Sequence, residues 1–212
     1  MEKSRIIICA IAIISFLAII FYGISVNTTN YVTETIFFII FTLILIYLFN
    51  YLKLDNFTYS ILILAMLLHS LGTFGFYAKT PIIIQYDHIT HFILTFAFAV
   101  PLFKLLKGKI TGRHHKRTII IIVLFFCLGV GALIEQIEFL GYLNSDGART
   151  FFYVGDAGDT GVGGFTQIEL KEIDAVGGGW LNTMWDLMYN FLGAVMGIIV
   201  ALIFYNKNYL LS

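Results

Sequence analysis

A carboxylate and two imidazoles stand at the start of a long apolar segment, at Asp87, His88 and His91. If this segment is helical from its first turn, Asp87 and His91 share one face, four residues apart, with His88 one turn from His91. Ionisable side chains are costly in contact with lipid, so at a membrane helix they usually face a bundle interior or a water-filled cavity. The three residues therefore form a candidate functional site.

The composition is that of a polytopic membrane protein. Of the 212 residues, 59% are hydrophobic and 12% are charged, and the mean hydropathy is +0.89. A soluble domain carries about twice as much charge and a smaller apolar share. No soluble domain, clear repeat or nucleic-acid-binding signature is recognisable. We expect one integral membrane domain over residues 1–212 that contacts membrane lipids and no nucleic acid, with unknown protein partners.

Six segments are apolar enough, and about long enough, to cross a bilayer as helices. They cover residues 6–26, 35–52, 57–78, 88–106, 118–141 and 183–205. The predicted fold class is therefore all-α, a six-helix transmembrane bundle that must bring the polar residues of its later segments together.

Basic residues predict the orientation of these segments, because they concentrate in cytoplasmic loops. With the N-terminus inside, ten basic residues fall on the cytoplasmic side and three, Lys79, Arg149 and Lys171, on the outer side. We expect a multi-pass protein of the cell membrane with both termini in the cytoplasm.

The longest connection, residues 142–181, lies on the predicted outer side. It contains nine glycines and six acidic residues against two basic ones. Residues 151–154 and 165–170 have the pattern of two short strands around a glycine-rich turn. A loop of this length is usually functional or mobile, so we expect a glycine-rich extracytoplasmic loop that covers an outward-facing cavity.

Polar side chains on four of the predicted helices lie at one depth, near the outer surface, when positions are converted at about 1.5 Å per residue. They are His69 and Tyr77 on the third segment, Asp87, His88 and His91 on the fourth, Glu135 and Glu138 on the fifth, and Asn182, Asp186 and Asn190 on the sixth. Small residues on the same faces, at Gly131 and at Gly193 and Gly197, allow close helix contact.

Imidazole and carboxylate groups at one depth are a ligand set for a divalent metal such as zinc, manganese or iron. The predicted ligands are Asp87, His91, Glu135 and Asp186. Glu138 is the first candidate for a general base, and Glu135 is the other carboxylate with a candidate catalytic role. The predicted supporting or substrate-contacting residues are His69, Tyr77, His88, Asn182 and Asn190. His69 is also consistent with a hydrogen-bonded core histidine.

A metal with an open coordination position activates water or polarises a carbonyl or phosphoryl group. On the outer side, this predicts a hydrolase or transferase for a lipid or a lipid-linked envelope molecule. Two alternatives remain: a non-catalytic membrane protein that binds lipid or a glycopeptide, and an ion transporter. The transporter ranks lower because the inner halves of the later segments are uncharged. A purely structural polar network would leave the same residues without a reaction.

Three motifs carry a family resemblance: Asp87-x-x-x-His91-Phe92, Glu135-Gln136-Ile137-Glu138-Phe139, and Asn182-Thr183-Met184-Trp185-Asp186-Leu187 leading to Gly193-Ala194. They resemble the uncharacterised YjdF-like inner-membrane family, and His69-x-x-Gly72 with Tyr77 is similar to its upstream motif. The chain departs from that pattern at Asn182, where the family has Asp, and at Gly75, where it has Tyr.

A smaller set of positions is also similar to the VanZ-like membrane proteins, which are linked to glycopeptide-antibiotic resistance. It consists of Asp87, His91, Glu135-Gln136, Asp186, Asn190 and Gly193. Both resemblances cover roughly residues 57–205 without most of the outer loop. They imply the same site residues and no particular reaction.

Overall fold

The computed structural model describes residues 2–26, 32–74, 76, 86–112, 114–144 and 178–206. Over these ranges the chain forms six α-helices: α1 (Glu2–Ser25), α2 (Val32–Tyr47), α3 (Asn56–Ser70), α4 (Tyr86–Lys107), α5 (His115–Asn144) and α6 (Gly178–Asn206). A 3-10 helix, Leu71–Phe74, follows α3. The described ranges contain no strand, so the all-α prediction is confirmed for them.

Four of these helices are long and apolar enough to cross a membrane, over Lys3–Ser25, Tyr86–Lys107, His115–Gln136 and Thr183–Phe204. α2 and α3 are apolar but shorter, with 16 and 15 residues. At about 1.5 Å per residue they measure roughly 23 Å, against a hydrocarbon core of about 30 Å. Exposed large apolar side chains such as Ile14, Phe21 and Phe125 cover the outside of the helices, as a lipid environment requires.

The helices pack as two groups of three. α1, α2 and α3 contact one another, α4, α5 and α6 contact one another, and α3 also packs on α4. The first group buries a core that includes Phe16, Tyr59, Leu62 and Met66. The second buries smaller side chains, including Ala99, Val123, Cys127, Ala194 and Ile198. The α3–α4 contact therefore links the two cores.

Glycines allow α4 and α6 to approach closely. A Cβ atom at Gly193 would collide with the Phe92 carbonyl oxygen and the Thr95 hydroxyl, and one at Gly197 would come within 2.7 Å of Ala99 Cβ. Contacts of this kind are possible only for small residues. The prediction that Gly193 and Gly197 permit close helix packing is confirmed, and the contact is the most extensive one in the described structure.

Two helices end earlier than the hydropathy pattern predicts. The second was predicted to continue to residue 52, but α2 ends at Tyr47 and gives way to turns in which Lys53 has φ 51°. The third was predicted to reach residue 78, but α3 ends at Ser70 and tightens into a 3-10 turn that contains Gly72. Glycine disfavours the helix, and apolar character alone does not show where a helix stops.

The predicted outer loop falls mostly outside the described residues. At its two ends, residues 142–144 are the last turn of α5 and residues 178–181 are the first turn of α6. These short stretches are therefore helical, contrary to the predicted boundaries. The rest of the loop, including the two predicted strands, is outside the described ranges.

α3 begins at a capping box. The Asp55 side chain accepts a hydrogen bond from the Thr58 backbone N–H at 2.8 Å, and the Asp55 N–H donates to Thr58 Oγ1 at 3.0 Å. Asp55 Oδ2 also pairs with Lys104 Nζ of α4 at 2.6 Å. Asp55 thus caps one helix and ties it to another.

We expect Asp55→Ala to lower the free energy of unfolding by about 1 kcal/mol, the usual cost of losing an N-cap side chain. Asp55→Asn keeps a capping oxygen and loses only the charge pair, which is partly exposed and worth roughly 0.5 kcal/mol or less. Thermal unfolding of both variants in the same detergent checks the order. Equal destabilisation by the two substitutions would assign the effect to the charge pair instead of the cap.

Candidate metal centre

The first two turns of α4 carry the candidate site. Asp87, His88 and His91 are all buried, although they lie at the start of the helix. Thr90 Oγ1 donates a hydrogen bond to the Asp87 carbonyl oxygen at 2.7 Å, and Thr95 Oγ1 donates to the His91 carbonyl oxygen at 3.0 Å. Thr90 also interacts with the Asp87 side chain, whereas Thr95 uses the backbone carbonyl oxygens of His91 and Phe92.

α6 brings a second carboxylate to this face of α4. Asp186 is completely buried, and one potential ligand atom from each of Asp87, His91 and Asp186 lies within 4.8 Å of the other two. Two carboxylate oxygens and one imidazole nitrogen in such an arrangement could hold a metal ion. We call Asp87, His91 and Asp186 the buried triad.

The ring of His91 lies between two carboxylates. Its Nε2 is 3.5 Å from Asp87 Oδ1, and its Nδ1 is 3.6 Å from Glu135 Oε1 of α5. A histidine that binds a metal through one ring nitrogen commonly directs the other to a carboxylate, which fixes its tautomer and orientation. Glu135 is in the position of that orienting carboxylate and lies outside the buried triad.

One carboxylate oxygen of the triad is buried without a conventional partner. Asp87 Oδ2 makes no hydrogen bond of normal geometry with any part of the chain that the structure describes, and the Asn190 side chain interacts with His91. Buried polar groups in folded proteins nearly always have partners. The position of Asp87 beside His91 and Asp186 therefore indicates a place for a ligand between α4 and α6.

Asn190 is accommodated by a glycine on the neighbouring helix. A Cβ atom at Gly131 of α5 would lie 2.8 Å from Asn190 Cγ, too close for any side chain without movement. Gly131 therefore makes the space that this fully buried amide occupies. The prediction that small residues lie on the polar faces of α5 and α6 is confirmed for Gly131.

His88 adjoins the triad beside Asp186. Its Nε2 is 3.9 Å from Asp186 Oδ1, and its ring stacks on Tyr189 with centroids 4.6 Å apart and an interplanar angle of 6°. Trp185 lies next to this stack, 6.1 Å from the His88 ring centroid. The aromatic side chains hold His88 against the carboxylate of Asp186.

The family comparison agrees with the composition. Residues 7–207 match the model of a family described as predicted membrane proteins, DUF2238. The chain belongs to this family. No curated protein and no solved structure matches it. This DUF2238 member is thus a membrane protein with several apolar helices.

The structure brings most of the predicted site residues of this DUF2238 protein together. Asp87, His91 and Asp186 converge, Glu135 adjoins the far side of His91, and His88 and Asn190 flank the triad. His69 pairs with another carboxylate. Tyr77 lies outside the described residues, and for Glu138 and Asn182 only the helical backbone is described.

One buried acidic residue of the DUF2238 protein is not among the predicted site residues. Glu34 of α2 is buried, and its Oε2 lies 3.0 Å from His69 Nε2. The predicted second helix began at residue 35, which left Glu34 in a connecting segment, whereas α2 begins at Val32. A carboxylate within the first turn of an apolar helix is the signal that could have found it.

If Glu135 orients His91, the variant Glu135→Gln should weaken metal binding about 10–100-fold without abolishing it, the usual effect of removing a carboxylate partner of a ligating histidine. Competition with a graded series of chelators measures the affinity. Gln136→Ala, which changes the exposed neighbouring residue, is the matched control and should bind as the wild type does. Complete loss of metal in Glu135→Gln would make Glu135 a ligand.

Proposed function

We propose that this protein is a membrane-embedded metal-dependent enzyme, a hydrolase or transferase that acts on a lipid or a lipid-linked envelope molecule. The observation that carries the proposal is the buried triad, because two buried carboxylates and an imidazole from α4 and α6 converge within 4.8 Å. Asp87, His91 and Asp186 hold the metal, and Glu135 orients His91.

The charge balance of the site supports a bound cation. Burial of two carboxylates at one point is unfavourable unless an opposite charge compensates them. A divalent ion supplies that charge, and one nitrogen with two oxygen ligands suits zinc, manganese or ferrous iron. Bound there, it would activate water or polarise the substrate's carbonyl or phosphoryl oxygen.

Packing below the triad favours an enzyme over a transporter. In the described structure, the inner part of the α4–α6 contact is filled by apolar residues, including Ala99, Phe103, Ala194, Ile198 and Ala201, all buried. Beyond Thr95, which is buried beside Gly193, these apolar side chains offer an ion no carboxylate or imidazole ligand. A reactant that enters and leaves on one side is consistent with the arrangement.

Residues beside the triad suit a substrate that arrives from the membrane. Asp186 is fully buried, yet its neighbours Met184 and Trp185 are 39% and 45% exposed. Large apolar side chains at this position contact lipid tails, and Trp prefers the level of the headgroups. A lipid could therefore present its polar part to the site while its tails remain in the bilayer.

The finer topology belongs to the same proposal. All six helices cross the membrane, α2 and α3 as short spans, with both termini in the cytoplasm according to the distribution of basic residues. The triad then faces the outer side. The similarity to YjdF-like and VanZ-like proteins supports the choice of Asp87, His91, Glu135 and Asp186.

Elemental analysis by mass spectrometry of the detergent-purified protein tests the proposal. We expect about one transition metal per chain, the content of a mononuclear catalytic site. The protein is then incubated with vesicles of phosphatidylethanolamine and phosphatidylglycerol, and released fatty acids and headgroup phosphates are measured. Turnover that disappears after chelation and returns with the metal supports an enzyme. Metal-free wild-type protein that gains no metal on dialysis against zinc, manganese or ferrous iron would overturn the metal site.

A further inference from the structure

A strongly basic stretch lies at the end of the bundle opposite to the buried triad. Residues 104–117 contain six Lys and Arg residues and no acidic residue, and the α2–α3 connection adds Lys53. Lys107 ends α4, 20 residues after Asp87, which is about 30 Å along the helix axis. These positive charges are therefore too far from the triad to belong to that site.

The tertiary structure brings the α2–α3 and α4–α5 connections together at this end. Lys53 Nζ lies 3.1 Å from the position that a Cβ atom would take at Gly108. In the reverse direction, Lys109 Nζ lies 5.7 Å from the centroid of the Tyr51 ring. The ammonium groups of Lys53 and Lys109 thus lie where the two connections meet.

The positive charges at this junction are only partly compensated within the chain. The one acidic residue of the two connections, Asp55, is already paired with the end of α4. Lys53 and Lys109 form no salt bridge with a carboxylate that the structure describes. Across the α4–α5 connection, the charges of Lys107 and Lys116 repel one another. Because like charges held close together oppose the compact state, the junction favours an anionic ligand. We call Lys53, Lys107, Lys109 and Lys116 the basic surface.

Lys53 reaches the basic surface at the cost of backbone strain. Its φ of 51° lies in the left-handed region, which residues with a Cβ atom adopt rarely and glycine adopts without strain. Strained residues of this kind concentrate at functional sites such as ligand clamps. A lysine at this position is therefore better explained by its ammonium group than by the turn itself.

Exposed aromatic side chains beside the basic surface favour a lipid as the anionic ligand. Tyr47 and Tyr51 are 86% and 71% exposed, and tyrosine side chains concentrate at the membrane–water interface. Phe57, in the first turn of α3, is also half exposed and is available to lipid tails. Basic residues at such an interface attract anionic headgroups. A phospholipid therefore suits both the charge and the position, whereas a soluble phosphate suits only the charge.

We propose that the basic surface binds the headgroup of an anionic phospholipid such as phosphatidylglycerol. The lipid phosphate accepts hydrogen bonds from the ammonium groups of Lys53 and Lys109, and the lipid tails remain in the bilayer beside α3. A bound lipid joins the α2–α3 connection to the α4–α5 connection, and so links the two groups of three helices. The inference goes beyond the proposed function and does not depend on it.

Calorimetric titration of the full-length protein tests the binding of lipid. The protein in a non-ionic detergent with EDTA, which prevents metal-dependent turnover, is titrated with dioctanoyl phosphatidylglycerol, dioctanoyl phosphatidylcholine or inorganic phosphate. We expect saturable binding of phosphatidylglycerol and at least about tenfold weaker binding of the other two. Phosphatidylcholine has no net charge, and inorganic phosphate has no tails. Equal affinity for the two lipids, or for phosphatidylglycerol and inorganic phosphate, would overturn the proposal.

Two variants locate the binding site. Lys53→Gly removes the ammonium group and relieves the left-handed strain, so this variant should be at least as stable as the wild type. It should bind phosphatidylglycerol about fivefold more weakly, the usual contribution of one lysine near an anionic surface. Lys109→Gln should weaken binding by about the same factor. A thermal unfolding scan of each variant shows that weaker binding does not come from a damaged fold.

Lys3→Gln is the matched control. It removes an exposed positive charge two residues before Arg5, which contacts the α2–α3 connection through Asn50, and it leaves both connections unchanged. This variant should bind phosphatidylglycerol as the wild type does. Wild-type affinity in both the Lys53 and the Lys109 variants, or an equal loss in the Lys3 variant, would show that the connections do not form the site.

The metal content of the same variants separates this inference from the proposed function. Lys53→Gly and Lys109→Gln should keep the wild-type metal content, because neither residue lies near the triad. Asp186→Asn should bind phosphatidylglycerol with wild-type affinity, although it alters the triad. Loss of lipid binding from the Asp186 variant, with retention in both lysine variants, would place the lipid at the triad and overturn the inference.

Discussion

Replacement of His91 by alanine is expected to leave the purified protein without the metal that we propose for the buried triad. His91 supplies the single nitrogen of the buried triad, and Asp87 and Asp186 alone would be two oxygen ligands with an incomplete coordination sphere. Removal of a residue that hydrogen-bonds to a ligand already weakens metal binding about 10–100-fold. Removal of a ligand itself should therefore weaken metal binding by at least about 100-fold. Elemental analysis after dialysis against a weak chelator measures the remaining metal.

Two further variants make the test specific. His91→Gln keeps most of the side-chain volume and should also lose the metal, which separates coordination from packing. His114→Ala removes an exposed histidine at the other end of the bundle and should retain the wild-type content. Metal retained by both His91 variants, or lost equally from the His114 variant, would show that the ion binds elsewhere.

Asp186→Asn should weaken metal binding as much as the His91 variants do, and more than Glu135→Gln does. The reason is geometric, because Asp186 shares the triad whereas Glu135 contacts the opposite nitrogen of His91. The order of metal affinities among these variants therefore distinguishes ligands from the carboxylate that orients one of them.

Gly193→Ala is expected to destabilise the fold by about 3 kcal/mol, the upper part of the usual range for overpacking. The new methyl group would meet the backbone carbonyl of Phe92, which cannot turn aside as a flexible side chain can. α4 and α6 would have to separate at the residue next to His91. We therefore expect a lower unfolding temperature and a loss of metal in the same variant.

Gly129→Ala is the matched control on α5. A Cβ atom at Gly129 meets nothing within 4 Å, and alanine is favoured over glycine within a helix by roughly 0.5–1 kcal/mol. This variant should be as stable as the wild type or slightly more stable. Thermal unfolding followed by circular dichroism in one detergent compares the two. Equal unfolding temperatures would mean that the α4–α6 contact is looser than its glycine packing indicates.

Periodicity and hydropathy were informative about the helices because both depend on local sequence. The apolar segments predicted the existence of all six described helices, and the four-residue spacing of Asp87 and His91 predicted their shared face. Helix ends were less predictable. α3 stops at Ser70, where glycine and a tightened turn compete with an apolar pattern that continues beyond it.

Depth along each helix predicted that Asp87, His91, Glu135 and Asp186 lie at one level, since rise per residue is constant, and these four residues lie together in the structure. It did not predict their partners. Asp186 and Glu135 were equivalent candidates from the sequence, yet one joins the triad and the other contacts the far side of the His91 ring. The rotation of α5 and α6 about their axes decides this difference, and rotation depends on packing against neighbours.

Sequence alone determined that the chain is a helical membrane protein with acidic and imidazole groups near one end of its later helices. These properties follow from composition, from the 3.6-residue helical period and from the cost of placing charge in lipid. Only the tertiary structure decided that Asp87, His91 and Asp186 converge and that Glu34 pairs with His69. Such contacts join residues 35 and about 100 positions apart in the chain, and they depend on the glycine-mediated approach of α4 to α6 and on the packing of α2 against α3.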